Sequence, residues 1–321
     1  MAFNVRTRRI LIIFLISGWL ISLCYYFLRT HLPKQPFQAS QLYRDNRLLM
    51  GTIWEVVSPS KQASAIVFAE ALRIEQLLSK YIPLSEISQL NRLGKSKVSS
   101  DTFYIIKKSQ EIYRLSQGAF DITVAPLVDL WGFSDQNFRI PSDENIRATL
   151  KLVGSDKIIL HQNNNVVEFK IPGMRIDLGG IAKGYALDCA VNKLKENNIN
   201  NCLINAGGQI YALGDKFKTP WKIAIQGTGK SEFAGSYTLK NESASTSGNY
   251  EQFFFKNGLR YCHIIDPRTG YPAQTQIASV TVIADYGIIA DALSTAIFVL
   301  GKKDGKELAK QFPETEIKIY P

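Results

Sequence analysis

Two oxygen-bearing side chains near the C-terminus, Asp291 and Thr295, are four residues apart in the segment DALST. Residues at this spacing lie on one face of a helix, so the carboxylate and the hydroxyl would point the same way. The flanking residues are small or apolar, and a carboxylate on a buried helix needs a partner. Such oxygens suit Mg²⁺ when substrate phosphates complete its coordination. Alternatively, Asp291 caps the helix and Thr295 bonds back to its own backbone.

Two glycine pairs each follow a predicted strand, in DLGGIAKG at 177–184 and in NAGG at 205–208. Glycine lets the backbone approach a ligand closely, and the N-terminus of a helix supplies free N–H groups for phosphate. Lys183 would add a positive charge. The alternatives are a strand–helix turn capped by Asp177 and a tight hairpin. The first pair thus indicates a phosphate-bearing ligand, and the second indicates a flat ligand that lies against bare backbone.

Further candidates are a histidine and a set of aromatic residues. His263 lies in HIIDPRTG. An isolated histidine is more often a structural hydrogen-bonding group, but in a phosphoryl-transfer site it could assist proton movement. Phe120 and Trp131 lie in an apolar segment rich in turn residues, and with Tyr81 they could form flat walls for an aromatic ring.

The elements that must position these residues are short strands and separate helices. The periodicity of apolar residues predicts helices at 61–78, 101–116, 143–153, 184–195 and 287–300. Strands are predicted at 51–57, 157–160, 166–171, 202–206, 209–213, 221–225, 236–239 and 279–284. Without strict βαβ alternation, this mixture indicates an α+β fold rather than a doubly wound sheet.

The N-terminus predicts a membrane anchor. Residues 10–28 contain no charged residue, and about 20 apolar residues suffice for a helix to span a bilayer. Arg6, Arg8 and Arg9 precede this run and should stay in the cytoplasm. We therefore predict a cytoplasmic tail at 1–9, a transmembrane helix at 10–28, a linker at 29–45 and one folded domain at 46–321. A cleaved signal peptide or lipid attachment at Cys24 are the alternatives.

Charge and cysteine content exclude other classes of protein. The net charge is +10, but residues 1–50 hold seven Lys or Arg against one Asp, so the excess lies beside the predicted anchor. Nothing resembles the basic stripe of a nucleic-acid-binding protein. No C-x-x-C pair or zinc-ligand spacing occurs. Cys189, Cys202 and Cys262 could include one disulfide, or could be small buried hydrophobic residues.

Taken together, these segments resemble the ApbE family, the FAD:protein FMN transferases. The similarity runs in order over residues 50–301. It comprises residues 50–52, Tyr81, 85–88, Asn91, GAFD at 118–121, DLGGIAKG at 177–184, NAGG at 205–208, STSG at 245–248, Tyr250, HIIDPRTG at 263–270 and DALSTA at 291–296.

The resemblance implies an α+β fold related to T-fold modules. It also implies a Mg²⁺-dependent enzyme that moves FMN from FAD onto a Thr or Ser hydroxyl of a protein and releases AMP. The implied metal ligands are the Gly180 carbonyl, Asp291 and Thr295, and the implied catalytic residues are His263 and Asp291. The implied FAD contacts are Met50, Tyr81, Ala119, Phe120, Asp121, Asp177, Lys183 and Ile265.

The acceptors would be flavin-carrying subunits of membrane redox complexes. The enzyme would act on the periplasmic side of a bacterial inner membrane. Gln209 and Asn249 depart from the family pattern, which commonly has acids at these positions. Two other functions stay open: an FAD pyrophosphatase that releases FMN and AMP, and a non-catalytic flavin-binding or storage protein. Tyr81 favours transfer over hydrolysis.

Overall fold

A computed structural model describes residues 41–226 and 233–320. The predicted anchor at 10–28 lies outside these residues, as do the tail and Cys24. The compact unit spans Leu42–Pro321. Its first strand starts within the range 29–45 that the sequence assigns to a linker. Within the described residues, no helix combines the length and apolar character needed to cross a bilayer.

The central feature is an antiparallel sheet of seven strands in the order β1-β2-β6-β7-β10-β13-β14. Its members are β1 (Tyr43–Leu49), β2 (Thr52–Ser58), β6 (Cys202–Ala206), β7 (Gln209–Leu213), β10 (Glu242–Gly248), β13 (Ser279–Ala284) and β14 (Glu316–Tyr320). Three smaller sheets are formed by β3 (Lys95–Lys97), β5 (Val166–Phe169) and β4 (Ile158–His161), by β8 (Trp221–Gln226) and β9 (Phe233–Leu239), and by β11 (Phe253–Lys256) and β12 (Leu259–Cys262).

Seven α-helices accompany these strands in the described residues. They are α1 (Ala63–Leu78), α2 (Glu86–Leu93), α3 (Ser100–Leu115), α4 (Ala125–Leu130), α5 (Asp143–Leu150), α6 (Ala182–Glu196) and α7 (Gly287–Ala309). Helix α6 lies between α1 and α7, and α1 and α7 both contact the sheet. The α+β prediction is confirmed.

Successive side chains of β2 point to opposite faces of the sheet, and each face packs in a different apolar core. Trp54 and Val56 point into the main core with the helices, whereas Val57 belongs to a second cluster that contains Trp221 and Tyr237 of the β8–β9 hairpin. A third apolar cluster joins α4 and α5 to the β11–β12 hairpin. The helices therefore cover one face of the sheet and a hairpin covers the other.

The C-terminal helix is longer than predicted. It continues to Ala309 through a break at Gly301, whose φ of 78° is a left-handed conformation that glycine adopts without strain. The cysteines Cys189, Cys202 and Cys262 are all free thiols. Cys202 and Cys262 are buried, which agrees with their interpretation as small hydrophobic residues.

Candidate active site

Most of the predicted site residues line one cavity, whose volume is about 250 Å³. This volume is slightly below the range of about 300–1,000 Å³ typical of small-molecule sites. Its lining contains eleven of the residues that the resemblance implies: Tyr81, Ala119, Phe120, Asp121, Asp177, Gly180, Lys183, His263, Ile265, Asp291 and Thr295. Met50 is not among the lining residues. It lies in the β1–β2 turn, where its N–H donates a hydrogen bond to Glu75.

Asp291 does not cap its own helix, because α7 begins four residues earlier at Gly287. The capping half of that alternative is wrong, whereas its other half, a bond from Thr295 back to its own helix, is present. The carboxylate is buried, and its Oδ2 accepts a hydrogen bond of 3.0 Å from the N–H of Gly184 at the start of α6. Burial raises the pKa of Asp291, while the charge of Lys183 and this hydrogen bond oppose the rise. Within the described residues, no cation lies within 4.0 Å of the carboxylate.

Gly180 and Thr295 line the same cavity as Asp291. A Cβ on Gly180 would lie 3.4 Å from the Thr295 hydroxyl oxygen, so the two residues are in close contact. The bond from that hydroxyl back to the Asp291 carbonyl is long, at 3.4 Å. No group of three or more His, Cys, Asp or Glu in the described residues could hold a metal alone. One carboxylate, one hydroxyl and one carbonyl nevertheless fit Mg²⁺, which is commonly bound by one or two carboxylates together with substrate phosphates.

Lys183 is the cation that the cavity presents to a ligand. It is the second residue of α6, and its ammonium donates a long hydrogen bond of 3.3 Å to the Gly179 carbonyl. No carboxylate in the described chain lies within 4.0 Å of it. The ammonium and the adjacent helix N-terminus together suit an anionic group such as a phosphate.

Asp177 is held in place by two partners. Its Oδ1 accepts from the N–H of Gly179 at 2.9 Å, and its Oδ2 pairs with Lys80 at 2.9 Å. Burial alone would lower the pKa of Lys80, but the charge and hydrogen bond of Asp177, together with the charges of Tyr81 and Asp129, outweigh burial and raise the pKa. The Asp177 carboxylate is thus fixed at the glycine pair, and sequence reasoning missed the lysine that fixes it.

The environment of His263 favours the neutral form of its ring. Its Nδ1 lies 3.2 Å from the Gln252 carbonyl oxygen, so Nδ1 carries the proton and Nε2 remains for a ligand. Burial lowers the pKa of His263, and Lys183 lowers it further, against the effects of the Gln252 carbonyl and Asp177.

Glu251 precedes this hydrogen-bonding partner in the chain and also lines the cavity. Solvent reaches Glu251, but the cavity walls shield part of its carboxyl from water, which raises the pKa. Lys183 opposes that shift, and Asp291 adds to it. The sequence offered a reason to single out Glu251, because it directly follows STSG and Tyr250, which carry part of the family resemblance.

The apolar wall contains Ala119, Phe120 and Ile265, all buried. Tyr81 is 68% exposed and belongs to the rim of the cavity. Trp131 is not a wall, contrary to the prediction. It is fully buried in the third apolar cluster, and its Nε1 donates to the Gly270 carbonyl at 2.9 Å.

The carboxylate of Asp121 is held by hydrogen bonds within the protein. It accepts hydrogen bonds from the N–H and hydroxyl of Thr123 and from the N–H and hydroxyl of Ser155. Burial raises its pKa, and these bonds oppose the rise. Because the carboxylate is fully engaged, it holds the neighbouring Ala119–Phe120 wall rather than offering a free charge to the cavity.

Comparison with known proteins gives a consistent result. The model of the ApbE family matches residues 50–319. The FAD:protein FMN transferase of Haemophilus influenzae is 35% identical over 246 residues, which cover 73% of this chain and 71% of that protein. The Escherichia coli K12 protein of the same name is 32% identical over 278 residues, covering 82% and 79%.

Solved structures show the same similarity in three dimensions. The crystal structure of an ApbE protein from Thermotoga maritima matches with a TM-score of 0.81 at 36% identity, covering 87% of this chain and 94% of that one. The flavin transferase ApbE from Vibrio cholerae matches with a TM-score of 0.78 at 28% identity, covering 87% and 93%.

Proposed function

Since this chain belongs to the ApbE family, we propose that it is a transferase that moves FMN from FAD onto a Thr or Ser hydroxyl of an acceptor protein and releases AMP. Relatives named FAD:protein FMN transferase support flavin transfer. The observation that carries the proposal is a single cavity lined by the buried Asp291, the half-buried Thr295 and the Gly180 segment, beside the cation of Lys183 and the imidazole of His263.

Gly180, Asp291 and Thr295 would hold Mg²⁺. A bound Mg²⁺ would neutralise the FAD pyrophosphate and stabilise the charge on the departing AMP. The Lys183 ammonium would contact the same phosphates, since no carboxylate of the described chain competes for it. The short loop between Asp177 and α6 would bring backbone N–H groups to the pyrophosphate, because glycine leaves this surface open.

His263 would take the proton of the acceptor hydroxyl. The acceptor oxygen forms a bond to the phosphorus of the FMN half, the bond from that phosphorus to the AMP oxygen breaks, and the hydroxyl proton passes to Nε2. The bond from Nδ1 to the Gln252 carbonyl holds the ring in the required tautomer. Burial lowers the pKa of the ring, which favours the neutral form that can accept a proton.

The flat parts of FAD would lie against the apolar wall. Phe120 and Ile265 offer buried apolar surface, and Tyr81 offers an exposed ring at the rim. Met50 lies outside the cavity lining, so its proposed contact requires a ligand that extends beyond the cavity. Asp121 would act by fixing the wall, and Asp177 by fixing the loop that leads to Lys183.

We further propose that residues 10–28 anchor the enzyme in a bacterial inner membrane, with the catalytic domain on the periplasmic side. The support is the uncharged run itself and the three arginines before it. Acceptors would then be flavin-carrying subunits of membrane redox complexes, held near the same surface.

The test is to incubate the full chain with FAD, Mg²⁺ and a Thr-containing acceptor peptide, and to weigh the peptide. A gain of one FMN supports transfer. Free FMN without peptide modification would indicate a pyrophosphatase, and intact FAD would indicate a binding or storage protein. Asp291→Ala should abolish turnover. Asp304→Ala, which removes an exposed acid from the same helix, is the matched control and should leave turnover unchanged.

A further inference from the structure

Gln209, the first residue of β7, has an unusual side chain for a buried position. It is only 3% exposed and lines the cavity. Its Oε1 is one of two buried side-chain polar atoms in the described chain that have no hydrogen-bond partner, the other being Trp54 Nε1. Buried polar groups are normally hydrogen-bonded, so an orphaned acceptor in a cavity wall requires an explanation.

The orientation of the amide is set by its other end. Nε2 donates a hydrogen bond of 3.2 Å to the Gly287 carbonyl. If the amide were turned over, its oxygen would face the Gly287 carbonyl oxygen. Two acceptors cannot bond to each other, so this hydrogen bond would be lost. Gln209 therefore presents a hydrogen-bond acceptor and needs a donor or a cation.

The amide lies beside Asp291. A Cβ on Gly184 would be 2.8 Å from Gln209 Nε2, and the N–H of the same glycine is the donor to Asp291 Oδ2. Gly287, which anchors the amide, is one helical turn before Asp291. Gln209 and Asp291 are thus both close to Gly184 of α6, and both line the cavity.

The surroundings favour a water molecule on a divalent cation as the missing donor. Mg²⁺ is reluctant to lose its water and usually keeps several water ligands, and each of these can donate hydrogen bonds. Hydrogen-bond acceptors around a metal ion orient its ligands and tune its affinity. We propose that Gln209 Oε1 accepts a hydrogen bond from a water bound to the cation at Asp291, which makes Gln209 a positioning residue for that cation. This inference rests on the proposed function, which places the cation at Asp291.

The test measures binding of Mn²⁺, as a spectroscopic probe for the divalent cation, to the full chain with FAD present and no acceptor. Electron paramagnetic resonance counts free Mn²⁺, and line broadening in ¹⁷O-labelled water reports water on the bound ion. Gln209→Leu should weaken Mn²⁺ binding by about tenfold or more. Gln209→Glu, which places an acid at this position, should bind Mn²⁺ at least as tightly as the wild type.

A matched control is Trp54→Phe, which removes the other orphaned polar atom from the core, away from the cavity. It should leave Mn²⁺ affinity unchanged. Wild-type affinity in Gln209→Leu would overturn the inference while leaving flavin transfer intact. If Gln209→Leu does not fold, weaker binding by Gln209→Glu overturns it instead.

Two further results would also be decisive. In the first, Gln209→Leu loses as much affinity for FAD, measured without any metal, as it loses for Mn²⁺. That result would identify FAD, and not a metal-bound water, as the donor to Gln209 Oε1. A wild-type chain that neither binds Mn²⁺ nor transfers FMN would refute the proposed function, and with it the role of Gln209.

Discussion

The contact between α6 and α7 makes a quantitative prediction for Gly184→Ala. A Cβ on Gly184 would lie 2.1 Å from the Gly287 carbonyl oxygen, whereas ordinary contacts begin at 3.4 Å. The helices would have to separate by roughly 1.3 Å, because the obstructing atom is backbone and cannot rotate away. Overpacking of this kind costs about 1–3 kcal/mol, against a gain of about 1 kcal/mol in helix propensity.

The expected net loss is therefore up to about 2 kcal/mol, which for a domain of this size is a drop in Tm of up to about 8 °C. The same separation would break the hydrogen bond from Gly184 to Asp291. Because that bond opposes the rise in the pKa of Asp291, its loss leaves the carboxyl more readily protonated and a poorer metal ligand. The stabilisation expected from Mg²⁺ at the proposed site should therefore shrink as well.

Thermal melts with and without Mg²⁺ measure both effects. Asn192→Ala, on the exposed side of α6, is the matched control, since it gains helix propensity without meeting another helix. It should keep the wild-type response to Mg²⁺ and melt no lower than the wild type. A Gly184→Ala protein with wild-type Tm and wild-type Mg²⁺ response would refute the reasoning.

Three further predictions concern charged groups. Lys80→Met should lower the free energy of unfolding, measured in urea, because it leaves Asp177 without its cation; the loss should stay below the roughly 3 kcal/mol of a fully buried pair. Burial raises the pKa of Asp188 to about 7, so the folded state favours its protonated form, and this contribution to stability is lost as the pH rises from about 4 through 7. Asp188→Asn should flatten that part of a plot of Tm against pH for the metal-free protein. The acidic limb of the FMN transfer rate should lie below pH 6.5, since the pKa of His263 is lowered; a limb above that pH would contradict its role as the base.

Much of the fold follows from local sequence pattern. The hairpin of β6 and β7 was predicted with its observed bounds, because alternating apolar residues flank a glycine pair with φ of 63° and 95°. Strand β1 was missed, since five of its seven residues are exposed and only its pairing with β2 makes it a strand. Strand β10 was missed because small hydroxyl residues carry little apolar signal, although most of this strand is buried.

The candidate site also has some features that the sequence predicts and others that only the folded chain shows. The spacing of Asp291 and Thr295 on one helix was readable from the sequence, because it depends on helical geometry alone. The hydrogen bond from Gly184 to Asp291 joins residues 107 positions apart, and the pair of Lys80 with Asp177 depends equally on how distant segments pack. Local pattern identifies candidate ligands, whereas the groups that orient them are found only in the folded chain.

The helix pair α6–α7 explains how a carboxylate without a cation partner can be kept in position. Helix α6 supplies the Gly184 N–H to Asp291 on α7, and in return Asp188 of α6 accepts hydrogen bonds from the N–H groups of Gly287 and Ile288 at the start of α7. The two bonds to Asp188 fix where α7 begins, and the bond to Asp291 fixes its carboxylate one turn later. Burial still disfavours both charges, so this arrangement sacrifices stability of the metal-free protein. In return, the Asp291 carboxylate already lines the cavity in a fixed position, so the cation proposed for this site would bind without rearranging the two helices.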